Sequence, residues 1–175
     1  MVLFLIFLMK LPFMKKVILG FTICFFSITY IVAQEHPIEK QEVNIEDSVH
    51  INWEHSFNDA LKKSKKENKP VLIYFTGSDW CGPCIILDKK LFHTEKFKAI
   101  ADKDLVLYEA DSPRNVDLIS PETLEVNNEL KRKFKIRSFP TLVFVNHKGK
   151  MIGYKKGLIL TDYYYPFIQS VIENY

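Results

Sequence analysis

The segment Val71-Leu72-Ile73-Tyr74-Phe75-Thr76-Gly77-Ser78-Asp79-Trp80-Cys81-Gly82-Pro83-Cys84 carries a strand, a loop and the start of a helix in one short stretch. Val71 to Phe75 is a continuous apolar run of β-forming residues, the pattern of a strand covered on both faces. Cys81 then falls at the junction of that strand with a helix. Free backbone N–H groups and the helix dipole stabilise an anion there, and the thiolate is the reactive form of cysteine. Spacing i, i+3 puts Cys84 on the same helix face, within reach of a disulfide. Pro83 is tolerated because N–H groups of a first turn have no intrahelical partner. Trp80 is expected to cover one side of the pair. The chemistry that follows is thiol–disulfide exchange: Cys81 attacks a substrate disulfide, a mixed disulfide forms, and Cys84 resolves it.

Outward from this segment the pattern alternates. Upstream, Ser56 with Asp59 reads as a helix start, Phe57, Ala60 and Leu61 form a narrow apolar stripe, and Pro70 is the expected stop. The run Lys62 to Glu67 reads as a solvated helix face. Downstream, Ile85, Leu87 and Leu91 continue a helical pattern, and Thr94 with Glu95 reads as a fresh cap leading to Phe97 and Ile100. Leu105 to Tyr108 is a second buried strand. Residues 111 to 122, with Pro113 and Pro121, read as loop, and Glu125 to Phe134 as helix. Thr141 to Val145 is a third strand, joined through Asn146-His147-Lys148-Gly149 to Met151–Tyr154. Ile168, Val171 and Ile172 mark a closing helix from about residue 165. This order predicts a single α/β domain over residues 50–175, with a central mixed sheet flanked by helices.

Composition narrows the function. The chain has 175 residues, 47% hydrophobic and 26% charged, with 3 Cys and a formal charge of +3. The first 33 residues hold no acid and only three bases, Lys10, Lys15 and Lys16. Taking those three from the 24 basic residues leaves 21 against 21 acidic, so a nucleic-acid partner is not expected. From Met14, which is a possible true start, Lys15 and Lys16 precede an apolar run from Val17 to Val32 and then Ala33. These are the parts of a signal peptide, or of a short retained membrane anchor. Either would put the remainder in the periplasm or another extracytoplasmic space. Cys24 reads as an apolar filler, and residues 34–49 read as a polar linker.

Val71 to Cys84, together with Ser138-Phe139-Pro140-Thr141, resembles the thioredoxin superfamily, and most nearly the exported thioredoxin-like domains of bacterial disulfide-exchange systems. The resemblance covers residues 50–175 and implies a thioredoxin-like fold. It matches Pro140 to the family's cis-proline beside the cysteines and gives Phe139 main-chain contacts to a partner. Trp80, Gly82, Pro83, Phe139 and Pro140 would thus form the substrate-facing surface. Gly82-Pro83 between the cysteines resembles the reducing members. The implied activity is reduction of protein disulfides through Cys81 and Cys84, with an electron donor upstream, no prosthetic group, and a monomer as the expected state. Two departures stand out. Tyr74 takes the place of the family's buried Asp, and Leu107 that of the Lys beside it. Proton transfer would then fall to water, Asp79 or Asp88, or be slower. Residues 111–126 account for extra length, which reads as a partner-selecting insertion or as a variable surface loop.

Other readings of the cysteines are weaker. A static disulfide closing so short a loop would add little chain-entropy stabilisation. Tetrahedral zinc needs two more ligands, and no second C-x-x-C or H-x-x-H exists. Copper handling would call on His93 or His147, and no metal site is assigned. A non-catalytic interaction domain that keeps the fold is the remaining alternative. Trp53 and Tyr163-Tyr164-Tyr165 read as core and rim aromatics. Lys131-Arg132-Lys133, Lys135 and Arg137 read as the wet side of a helix and its end.

Overall fold

Ser56 has extended backbone, and its Oγ accepts the N–H of Asp59, so helix α1 (Phe57–Glu67) starts with an orphan donor satisfied. Phe57 and Ala60 are buried, while Lys62, Lys65 and Lys66 face solvent. The helix stops earlier than the proline, at Asn68, whose left-handed backbone (φ 51°, ψ 49°) closes the last turn. Pro70 instead leads into the first strand. The structure, a computed structural model, describes residues 49–175. The leader, the start at Met14, Cys24 and the linker up to residue 48 lie outside the described residues.

Strand β1 (Val71–Thr76) is buried at all six positions. It is central in a sheet of order β2-β1-β3-β4. It runs parallel to β2 (Val106–Asp111) and antiparallel to β3 (Thr141–Val145), and β4 (Met151–Lys156) lies at the edge. Side chains alternate between two cores. Leu72 and Tyr74 pack with Leu107, Leu142 and Phe144 on one face. Val71, Ile73 and Phe75 pack with Val106, Tyr108, Val143 and Val145 on the other. Both faces being covered is what an unbroken apolar run requires.

The first face is covered by α2 (Gly82–Leu87), a π-helical turn (Asp88–Phe92), α3 (Glu95–Asp104) and α5 (Tyr164–Glu173). The second is covered by α1 and α4 (Pro121–Lys133). On α2 the buried positions are Cys84 and Leu87, followed by Leu91 and Phe92, whereas Ile85 is 41% exposed and does not belong to the core stripe. Helix α4 begins a turn before the expected Glu125. Ser120 Oγ accepts the N–H of Thr123, and Pro121 sits in the first turn, where its missing N–H is not needed.

One side chain stitches α4 to the end of β2. Asn127 is buried, its Nδ2 donates to the Asp111 carbonyl (2.9 Å), and its Oδ1 accepts from the Tyr108 hydroxyl (2.6 Å). Asn127→Ala strands both partners in the second core. The expected loss is about 2 kcal/mol of unfolding free energy in urea titration, more than a surface Asn on the same helix would cost.

Candidate active site

Cys81 is the N-cap of α2, and its Sγ accepts the N–H of Cys84 at 3.3 Å. The two sulfurs are bonded to each other, with their Cα atoms 5.2 Å apart. Gly82 and Pro83 between them are exposed, while Cys81 and Cys84 are 4% and 1% exposed. The disulfide thus lies just under the surface, with the first cysteine the more accessible. On reduction the N–H that now points at Cys81 Sγ would face a thiolate, which is the interaction that favours the ionised form.

Cys84 is held from the sheet side. Its carbonyl accepts the N–H of Asp88 and also the hydroxyl of Tyr74, at 3.0 Å. Tyr74 stacks on Trp53 and meets Phe92 edge-on, so the phenol is enclosed by aromatic rings. Burial pushes its hydroxyl well above the usual tyrosine range, which keeps it a proton donor to that carbonyl.

The three residues ahead of Cys81 are each tied to the last residue of β2 or to the chain just after it. Ser78 N–H and Oγ both donate to the Asp111 carboxylate, at 2.9 and 2.5 Å. The Asp79 carboxylate accepts the backbone N–H groups of Asn115 and Arg114, which hold its carboxyl below the ordinary range. Trp80 Nε1 donates to the Ser112 carbonyl at 2.9 Å, and the Arg114 guanidinium lies 5.2 Å from the ring centre. Gly77 makes room for this, since a Cβ there would come within 2.4 Å of the indole. The stretch from Asp111 to Asn115 is therefore part of the site's framework. Beyond it, a 3₁₀ turn (Val116–Leu118) leaves Val116 and Leu118 exposed.

Trp80 and Phe139 meet edge-to-face, 5.7 Å between ring centres, so the residue before Cys81 touches the residue before Pro140. The Phe139–Pro140 bond is cis, as the resemblance implies. Pro140 is itself buried, and the exposed apolar surface of the motif and α2 comes from Trp80, Ile85 and Ile86. Ile85 and Ile86 were not among the expected site residues. Among the described residues, no group of three or more His, Cys, Asp or Glu side chains is arranged to hold a metal ion. His93 Nδ1 instead lies 3.3 Å from the Asp88 carboxylate.

A further residue escapes the sequence reading altogether. Glu109 is the ladder partner of Tyr74 on β2, and so lies on the same face as the cysteines. Burial, then the nearby Asp111 and Asp88 carboxylates, push its carboxyl up to about 7, with His93 opposing. Burial likewise raises Asp88. The folded chain therefore binds a proton at Glu109 that the unfolded chain has already lost, and stability falls as pH rises from about 4.5 to about 7. Glu109→Gln removes that slope. At pH 8 the variant is expected to be more stable than the parent by on the order of 2 kcal/mol, with the advantage vanishing near pH 4 in the same urea titration.

Comparison with known proteins agrees with this geometry. A family model for the thioredoxin-like domain matches residues 57–171. The chain is 36% identical over 106 residues to the disulfide bond reductase DsbH of Chlamydia pneumoniae, covering 61% of this chain and 63% of that protein. It is 31% identical over 106 residues to the thioredoxin-related protein DsbJ of the same organism, covering 61% of this chain and 30% of that one. The match thus spans less than two thirds of either curated relative. Among solved structures, a DsbH oxidoreductase superposes with a TM-score of 0.66 at 31% identity, over 77% of this chain and 92% of that chain. A thioredoxin from Thermus thermophilus shares the fold at a TM-score of 0.55 and 20% identity, over 69% of this chain and 86% of that chain. With its paired cysteines at the start of α2, its cis bond before Pro140 and this range of matched residues, the chain belongs to the thioredoxin-like domain family, among the thiol–disulfide oxidoreductases.

Proposed function

We propose that the domain reduces disulfides of exported proteins, with Cys81 as the nucleophile and Cys84 as the resolving thiol. The observation that carries this reading is the Cys81–Cys84 disulfide at the cap of α2, with the Cys84 N–H directed at Cys81 Sγ. In the dithiol form, Cys81 thiolate attacks one sulfur of a substrate disulfide and displaces the other as a thiolate. Cys84 then attacks Cys81 Sγ and releases the second substrate thiol. Two electrons pass to the substrate, and the domain is left as the disulfide seen here. A dithiol donor must restore it, and no prosthetic group takes part.

The substrate chain would lie across Trp80, Gly82, Pro83 and the backbone of Phe139 ahead of Pro140. Ile85 and Ile86 extend that surface with apolar area suited to an unfolded or extended segment. Gly82-Pro83 and the reductase name of the 36%-identical relative both favour the reducing direction. Export rests on the apolar leader. No helix among the described residues is long and apolar enough to cross a membrane.

The test is dithiothreitol-driven reduction of insulin. Cys81→Ser is expected to abolish it, and Cys84→Ser to accumulate a mixed disulfide with the substrate that a non-reducing gel displays. Activity that survives Cys81→Ser would sink the assignment. A reduction potential near about −270 mV against glutathione supports a reductase, whereas one near about −120 mV makes the domain an oxidant.

A further inference from the structure

Resolution of the mixed disulfide requires Cys84 to lose a proton, and Cys84 is almost fully buried. Three acids and a phenol surround the cysteine helix, and their geometry sorts them. Asp79 accepts two backbone N–H bonds from the 114–115 segment, which hold it ionised and weakly basic. Tyr74 is a committed donor to the Cys84 carbonyl. Asp88 lies one helical turn past Cys84, with its side chain 38% exposed and His93 beside it. Glu109 is half-buried on the sheet under that turn, opposite Tyr74 in the ladder, and no cation pairs with it among the described residues.

We propose that Glu109 is the proton-exchange group of the resolving cysteine, accepting the Cys84 proton as the mixed disulfide is resolved. The proposal rests on the redox reading above. In the step, the Cys84 S–H proton passes to the Glu109 carboxylate, directly or through solvent that reaches its half-buried carboxyl. The Cys84 sulfur forms a bond to Cys81 Sγ, and the bond from Cys81 Sγ to the substrate sulfur breaks. The substrate leaves as a thiolate with the electron pair and takes up a proton from the Glu109 carboxyl or from water. The two protein thiols are oxidised, the substrate disulfide is reduced, and no other reactant is needed.

The surroundings suit that task. Glu109 is faced by Tyr74 from β1, by Asp88 and His93 from the turn above it, and by Asp111 from its own strand. Burial and the two carboxylates bring it to about 7, where a general base combines availability with driving force near neutral pH. Leu107, the ladder partner of Leu72 on the same face, supplies no charge that would draw it back down. An acid is thus supplied from the neighbouring strand, directly opposite Tyr74 in the ladder.

Two bursts of coloured thiolate isolate the step when the reduced full-length chain, in detergent solution, meets the chromogenic disulfide dithionitrobenzoate. The first reports attack by Cys81, and the second reports resolution by Cys84. In the parent, the second rate is expected to break near pH 7. Glu109→Gln should lower the ratio of second to first rate roughly 10- to 100-fold at neutral pH and erase the break. Asp88→Asn removes one of the negative neighbours, so the second phase should persist with its break moved to lower pH. An unchanged ratio and break in Glu109→Gln, or an unmoved break in Asp88→Asn, overturns the proposal while leaving the redox reading intact. Absence of the first burst in the parent overturns both. If Glu109→Gln does not fold, the position of the break in Asp88→Asn decides alone.

Discussion

The hydrogen bond from the Tyr74 hydroxyl to the Cys84 carbonyl ties the centre of the sheet to the helix that carries the sulfurs. It is possible only because β1 is buried on both faces and because the first face is roofed by α2 and the turn after it. A phenol in that position needs a buried acceptor, and the carbonyl of the second cysteine supplies one. The rest of the reactive end follows from this constraint. The Cys84 carbonyl is committed to the sheet, and Cys81 is the less buried of the two cysteines, 4% against 1% exposed.

The second tie runs sideways. Ser78, Asp79 and Trp80 are each bonded to the chain between Asp111 and Asn115, and Asn127 anchors the Asp111 carbonyl from α4. The loop that delivers Cys81 is thereby fixed at one end by the sheet and along its length by the segment after β2. Trp80 is held against Gly77, Phe139 and Arg114 and by its bond to Ser112, with part of its indole left exposed. A side chain so held has little rotamer freedom left to lose in any further contact.

Much of this was legible in the residues. The apolar run from Val71 to Phe75, the caps at Ser56 and Thr94, and the Trp80–Cys84 string all carry their meaning locally, in propensity and spacing. The cis bond before Pro140 came from resemblance and is present. Three features were not legible, each for a physical reason. Pro121 reads as a breaker unless one knows that Ser120 caps the helix it begins. Ile85 fits an apolar stripe until the helix is seen to turn Cys84 and Leu87 inward and leave Ile85 outside. Glu109 acquires its character from register: only the pairing with Tyr74 reveals that an acid in β2 lies beneath the cysteine helix. No local pattern encodes which residue stands opposite which across a parallel crossover.

The clasp between the two loops has an asymmetry with an evolutionary consequence. On the far side it is made largely of main chain: the N–H groups of Arg114 and Asn115 and the C=O of Ser112. Asp79 recognises no side chain of this segment, and Trp80 meets one there, the Arg114 guanidinium. The segment beyond Asp111 can therefore drift in sequence, and change the surface it shows at Val116 and Leu118, without loosening the sulfurs. Only proline at 114 or 115 would remove a donor. Selection on Ser78, Asp79, Trp80 and Asp111 would hold the scaffold still while the neighbouring surface diversifies, a division of labour that lets one fold acquire new clientele by mutation in a single short stretch.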